Sequence, residues 1–380
     1  MEGSGLEEWE VVERILPVGW QAQAKQLGAL RRCRGFEDAG GLLRVMLIHL
    51  GDGCSLRETA VRAREGGLAQ VSDVALLKRL KHCQAWFRWM TDGLMRQWVA
   101  VAPEQIWGNR RVRVVDGSII TEPGATGSTW RLHYSTTLPD LHCDEVAVTT
   151  AKVGESLQRF QVRVGEVLIA DRGFAHRNGV RHVVAAGGDV IVRLNLTNLP
   201  LADPLGPMPF AVLPRLRRLK IGQVGDWPVA VPDEQGPIAG RVCAIKKSRQ
   251  AAALARQRTQ RENSRKGHRV QPQTLEAAGY IFVFTTLAGT QCPTEAVLEM
   301  YRGRWQVELA FKRLKSLLAL GHLKKIDPEG AKAWLQGKLL VAFLIEALIA
   351  AGERFSPWGY PLAAPPLPMA RDFPDAPLAQ

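Results

Sequence analysis

The sequence predicts an α/β protein: a mixed sheet flanked by helices, preceded by an all-α N-terminal region. Three observations carry this expectation. Apolar residues recur at helical spacing behind capping serines through the first part of the chain. Short β-branched runs broken by Gly and Pro begin at Arg111. Helix and strand then alternate as far as Asn195, the pattern of a sheet with parallel strands.

The run GLLRVMLIHL, 41–50, reads as a buried helix. The next, SLRETAVRARE at 55–65, opens on Ser55 with Glu58 three residues later, a capping-box pattern. After a Gly-Gly turn, SDVALLKRLKHC at 72–83 starts a second helix behind Ser72. Helix, glycine turn and basic helix fit a helix-turn-helix; a generic helical bundle is the plainer alternative. Trp86, Trp89 and Trp98 stand at helical spacing and read as core.

The runs 111–120, 129–138 and 144–153 read as an antiparallel meander. VGEVLIADRGF, 164–174, is a strand ending in a tight turn; 177–188 is a helix and 189–195 another strand. Prolines then break the rhythm, and 196–275 reads as a β-rich basic insertion. Its segment 246–269 holds nine lysines and arginines against one acid, Glu262, a density that favours phosphate contact over a solvated helix face. YIFVFTTL, 280–287, returns to a strand, and 292–320 reads as one long helix. The divisions expected are 1–105 helical and DNA-binding, 106–195 and 276–355 as two parts of a catalytic core around the insertion, and 356–380 as a proline-rich tail.

Lysine and arginine number 50 against 37 acids in 380 residues, a formal net charge of +13. This disfavours an acidic protein partner or a cationic substrate and favours a polyanion such as nucleic acid. The start of the chain is acidic, unlike a signal peptide. The apolar run 339–351, interrupted by Glu346, falls short of the roughly 20 residues a membrane span needs and reads as a buried core helix. Six cysteines without a CxxC pair suggest reduced thiols and a cytoplasmic protein. His82–Cys83 and His142–Cys143 fit zinc spacing poorly. Gly337–Lys338 lacks the upstream glycine of a phosphate-binding loop.

The predicted helix at 292–320 is the most informative segment. Tyr301, Arg304, Glu308 and Lys315 fall on one face at about 100° per residue, with Trp305 and Lys312 beside them. Val307, Phe311, Leu314 and Leu318 gather on the adjoining side. A Glu308–Lys312 pair accounts for part of the stripe, but not for its aromatics or Arg304. Two further acids are placed suggestively. Asp116 interrupts an apolar strand at VVDGS, where a charge is costly unless paired or metal-bound. Asp171 ends the run VLIAD. With Glu308 they make a set of hard oxygen ligands suited to Mg²⁺ or Mn²⁺. Asp140, Asp144, Glu145 and Glu155 read as acids of loops or solvated strand ends.

These motifs, in this order over about 40–350, resemble a DDE transposase of the insertion-sequence-4 family, with an RNase H-like catalytic domain. The match rests on VVDGS (Asp116), LIADRGF (Asp171) and Tyr-x2-Arg-x3-Glu-x6-Lys (Tyr301, Arg304, Glu308, Lys315). The resemblance implies that Asp116, Asp171 and Glu308 are catalytic and hold two Mg²⁺ ions, with Mn²⁺ as a substitute. It implies that Tyr301, Arg304, Lys312 and Lys315 grip transposon-end phosphates. Trp305 stacks against bases or simply packs, and Arg172 touches phosphate or a neighbouring acid. It further implies water attack at the element's ends, a hairpin route, joining of 3′ ends to target DNA, and a homodimer in a synaptic complex on bacterial nucleoid DNA, with no membrane partner. Two rival readings are an end-binding inhibitor that is catalytically impaired, suggested by the proline-rich tail, and a nuclease without strand transfer.

Overall fold

The computed structural model describes residues 8–99, 110–122, 124, 129–195, 197–265, 267–316, 319, 323 and 327–354. The proline-rich tail expected at 356–380, and Leu318 of the predicted apolar stripe, lie outside them. The chain divides into two compact units.

One unit takes 8–94 and returns at 336–354. Its helices are α1 (Glu8–Ile15), α2 (Trp20–Gln26), α3 (Ala39–Leu50), α4 (Leu56–Glu65), α5 (Asp73–His82) and the first part of α6 (Gln84–Val99). Side-chain caps set three of the starts. Asp38 accepts from the Gly41 amide at 2.8 Å, Ser55 from Glu58 at 3.1 Å and Ser72 from Ala75 at 3.2 Å. The capping box expected at Ser55 is half formed, because the Glu58 carboxylate turns to Arg62 one turn on, at 2.9 Å. The core is aromatic: Trp20 and Trp86 stack at 6.0 Å, and Trp86 Nε1 donates to the Trp20 carbonyl at 2.8 Å. Trp89 is half-buried. Ser72→Ala is expected to destabilise this unit by about 1 kcal/mol, read as a shift in its denaturant midpoint.

The final helix, α13, runs Pro328–Arg354, twice the length of the apolar run that predicted it. From Gln336 on it groups with the N-terminal helices. Burial of Leu339, Leu340 and Phe343 fits that grouping. By length and hydropathy the stretch 328–352 is sufficient to cross a membrane; 61% of its most apolar window is buried within the protein, as in a core helix.

The second unit, 95–335, is built on one eight-stranded sheet in the order β3-β2-β1-β4-β5-β8-β7-β6. The strands are β1 (Val112–Ile120), β2 (Trp130–Leu138), β3 (Cys143–Thr150), β4 (Val167–Ala170), β5 (Asp189–Arg193), β6 (Val224–Val231), β7 (Ile238–Lys246) and β8 (Tyr280–Thr285). The first three form the expected antiparallel meander. Strands β1, β4 and β5 are parallel neighbours, and the crossover between β4 and β5 carries α7 (Arg177–Ala185). This mixed sheet flanked by helices is RNase H-like. The insertion does not stand apart: β6 and β7 pair with each other, and β7 pairs with β8, so they widen the same sheet. Its short helices are α8 (Val212–Arg217) and α10 (Pro272–Ala277), and the basic run forms α9 (Arg249–Arg265), on which only Ala252 is buried.

The segment 292–320 departs from expectation. It is α11 (Thr294–Arg302), a 3₁₀ turn Gly303–Trp305, and α12 (Gln306–Ser316). Glycine at 303 costs about 1 kcal/mol against alanine in a helix interior, and the ladder tightens there. Val307, Phe311 and Leu314 are buried as the apolar stripe predicted. The Phe311 ring meets Tyr134 edge-on at 5.6 Å and seats α12 against the sheet.

Buried polar groups tie the meander to β4. The exposure expected for Asp144 is overturned: its side chain is 4% exposed and bonded to Arg111 at 2.8 Å and Arg113 at 2.6 Å. Glu145 likewise serves Arg113, at 2.9 Å. On the same strands His133 is buried, with Nε2 against Thr149 Oγ1 at 2.9 Å and Nδ1 without a partner among the described residues. Burial, then the charges of Arg159 and Arg131, lower its pKa to about 4. The unfolded chain therefore binds a proton below about pH 6.5 that the folded chain refuses until about pH 4. Stability is expected to fall as pH drops through that window, and urea titrations of His133→Gln should show a flatter decline.

Candidate active site

Strand register brings two of the predicted acids together. Val115 lies beside Ala170 in the parallel β1–β4 pair. One residue further along each strand stand Asp116 and Asp171, neighbours at the C-terminal edge of the sheet. That edge is where open α/β sheets collect functional groups. Each aspartate is oriented by a backbone amide just beyond it. Gly117 N–H donates to Asp116 Oδ1 at 2.7 Å, and Gly173 N–H to Asp171 Oδ1 at 2.7 Å.

The third acid arrives from α12. Arg304, in the 3₁₀ turn, donates from Nη2 to Glu308 Oε1 at 2.8 Å and from Nη1 to Asp116 Oδ2 at 3.4 Å. A guanidinium thus bridges the strand aspartate and the helix glutamate. Asp116 and Arg304 are largely buried, their side chains 17% and 19% exposed, whereas Glu308 is 46% exposed. Burial pushes the Asp116 carboxyl up to about 7; Arg304 opposes the shift and the charge of Asp171 adds to it.

The remaining predicted residues divide. Tyr301 is buried close to Arg304, and burial raises its hydroxyl pKa. Lys315 is exposed; partial desolvation lowers its ammonium pKa and the Asp116 charge opposes the shift. Lys312 and Arg172 are exposed, and Trp305 is 42% exposed. Two residues that sequence reading passed over also face this edge. Arg193 ends β5, one residue past Val192, the β4 neighbour of Ala170, and its charge reaches Tyr301. Glu155, read as a loop acid, raises its own carboxyl pKa by burial and by the charge of Asp171. A charged residue closing a strand is the signal that marks Arg193; nothing periodic marks Glu155.

A divalent cation fits this donor set. The oxygens are hard, and the like charges of Asp116 and Asp171 face one Arg304 guanidinium that Glu308 also shares. Among the described residues, no three His, Cys, Asp or Glu side chains form a ready-made cage, and Glu308 is engaged by Arg304.

Comparison with known proteins gives the family. Residues 145–344 match the family described as "Transposase DDE domain", a span that contains Asp171 and Glu308 and begins beyond Asp116. The chain is 37% identical over 347 residues to the putative transposase InsL for insertion sequence element IS186A of Escherichia coli (strain K12), covering 90% of this chain and 93% of that protein. It is 37% identical over 348 residues to the transposase for insertion sequence element IS421 of Escherichia coli, with the same coverage. A 26% identity over 201 residues links it to the transposase for insertion sequence element IS231F of Bacillus thuringiensis subsp. israelensis, over 48% of this chain and 41% of that protein. An RNase H-like sheet with paired aspartates at its edge, and a relationship along nearly the whole chain, place this protein in the DDE transposase family.

Proposed function

We propose that the protein cuts DNA at the terminal inverted repeats of its own insertion sequence and joins the freed 3′ ends to target DNA. The observation that carries this reading is the Asp116–Asp171 pair on adjacent parallel strands, with Arg304 linking Asp116 to Glu308. Asp116, Asp171 and Glu308 would hold two Mg²⁺ ions, or Mn²⁺ in their place. Bound there, the ions supply a water activated for attack on the phosphodiester and charge to stabilise the leaving oxygen.

The chain's own residues do the rest. Arg304 leaves Glu308 for the scissile phosphate, a better bidentate partner than a half-exposed carboxylate. Lys315 and Lys312 continue the positive track along α12, and Arg172 and Arg193 flank the strand ends. Tyr301 orients Arg304 from its buried position, and the exposed Trp305 ring is available for base stacking. In the N-terminal helical unit α4 and α5 serve as a helix-turn-helix-like pair, and in the sheet unit α9 offers an arginine-rich face for phosphate. The insertion-sequence-4 kinship, the hairpin route and a homodimeric synaptic complex on nucleoid DNA in the cytoplasm belong to this reading. Retention of all three acids favours the enzyme over an end-binding inhibitor.

The test is a linear duplex carrying the DNA that flanks the coding region, incubated with the full-length protein and Mg²⁺. Cleavage at the element's ends with a free 3′ hydroxyl is expected, and a denaturing gel resolves any hairpin. Tight end binding without cleavage would instead support the inhibitor.

A further inference from the structure

We propose that Glu155 is a fourth acid of the divalent-cation centre, acting together with Asp116 and Asp171. The inference rests on the reading above and adds to it a residue outside the Asp116, Asp171, Glu308 set.

Glu155 follows β3 and reaches the sheet edge through a space left by two missing side chains. Its Oε1 lies 2.8 Å from where a Gly117 Cβ would stand, and its Oε2 lies 2.5 Å from the corresponding point at Gly173. Asp171 Oδ1 is 3.0 Å from that second point, so the two carboxylates converge on one small volume. Neither glycine has a positive φ, so backbone conformation does not call for glycine at either position. Space is the constraint: a methyl group at 117 or 173 would make the Glu155 carboxylate shift from its place. Both glycines sit just beyond a catalytic aspartate and donate their amides to it, which couples the cradle to the site.

The electrostatics point the same way. Among the described residues no cation pairs with Glu155 within 4 Å; Arg131, the nearest opposing influence, donates to the Val153 carbonyl at 3.1 Å. A half-buried carboxylate facing two other acids opposes folding unless a cation joins it. Glu308, by contrast, is more exposed and already engaged by Arg304. Asp116, Asp171 and Glu155 are the acids gathered at this sheet edge; they do not form a ready-made cage as they stand, and their hard oxygens suit Mg²⁺ or Mn²⁺ as the cation that would draw them together.

The experiment titrates Mn²⁺ into the full chain, following the free-ion electron paramagnetic resonance signal, for wild type, Glu155→Gln, Glu155→Asp and Asp171→Asn. Melting temperatures are taken in parallel with chelator present. Glu155→Gln is expected to weaken Mn²⁺ at least about tenfold. Without ion its melting temperature should match or exceed that of wild type, because a like charge has gone. Glu155→Asp keeps the charge on a shorter arm and should weaken Mn²⁺ by less; it also covers the case in which Glu155→Gln does not fold. Wild-type affinity in both Glu155 variants, with affinity lost in Asp171→Asn, would overturn this proposal alone. Wild-type affinity in Asp171→Asn as well would overturn the underlying site reading together with it. A lower melting temperature with unchanged affinity would make Glu155 a structural residue and overturn the proposal.

Discussion

Asp116→Asn or Asp171→Asn is expected to slow DNA strand cleavage by about 10³-fold or more while leaving affinity for DNA unchanged or tighter. The magnitude follows from the chemistry. Ions held by these carboxylates are asked to supply several kcal/mol of transition-state stabilisation, and about 4 kcal/mol corresponds to 10³ in rate. Asparagine keeps the shape and the hydrogen bond from the following glycine amide, so the strand ends should remain in register. It removes the charge that retains a cation. Binding should not suffer, since deleting negative charge beside a phosphate track lessens repulsion. Glu308→Gln should fall in the same direction, but it frees Arg304 as well as removing a ligand, so its DNA affinity should rise more. Single-turnover cleavage and filter binding on the same end duplex separate the two effects. Equal loss of binding and cleavage would assign the aspartates to DNA docking instead.

The second large effect concerns stability. Arg113→Leu is expected to destabilise the sheet unit by about 3–5 kcal/mol, measured by urea unfolding. The Arg113 guanidinium reaches Asp144 at 2.6 Å, Glu145 at 2.9 Å and Glu166 at 3.1 Å, and donates to the Gln161 carbonyl at 2.6 Å. Asp144 and Glu166 are 4% and 3% exposed, and Arg111 alone would remain to balance them. Removing one partner strands buried charge, which costs more than the pair itself contributed. The deficit should shrink as pH falls, because protonation neutralises the orphaned acids. A loss below about 1 kcal/mol would mean that Arg111 compensates fully.

How much of this could be read from residues alone differs by element. Asp116 and Asp171 were legible because an acid inside or closing an apolar strand has few structural uses. Glu308 was legible from its spacing to Tyr301, Arg304 and Lys315. The meander and the β4–α7–β5 crossover followed from period-two runs and short turns. The break at Gly303 was hidden, because amphipathic spacing continues through the 3₁₀ turn with little phase change. Pairing of β7 with β8 was hidden for another reason: the strands are separated by α9 and α10, and local pattern does not carry distant register. Asp144 looked solvated because its partners, Arg113 on β1 and Arg111 just before it, are distant in sequence. Glu155 left no signal at all, since its meaning depends on space at Gly117 and Gly173 that only the folded chain displays.

The central claim is that the paired aspartates, Asp116 within β1 and Asp171 just past β4, hold divalent ions with which this chain cuts DNA. The direct test follows bound Mn²⁺ and strand cleavage in the same samples, using the full chain on an element-end duplex, for wild type and Asp171→Asn. The account predicts that cleavage by wild type appears at the ion concentrations that fill the site, and that Asp171→Asn neither fills nor cuts. Cleavage that persists in chelator, or equal ion binding and cutting by Asp171→Asn, would contradict it.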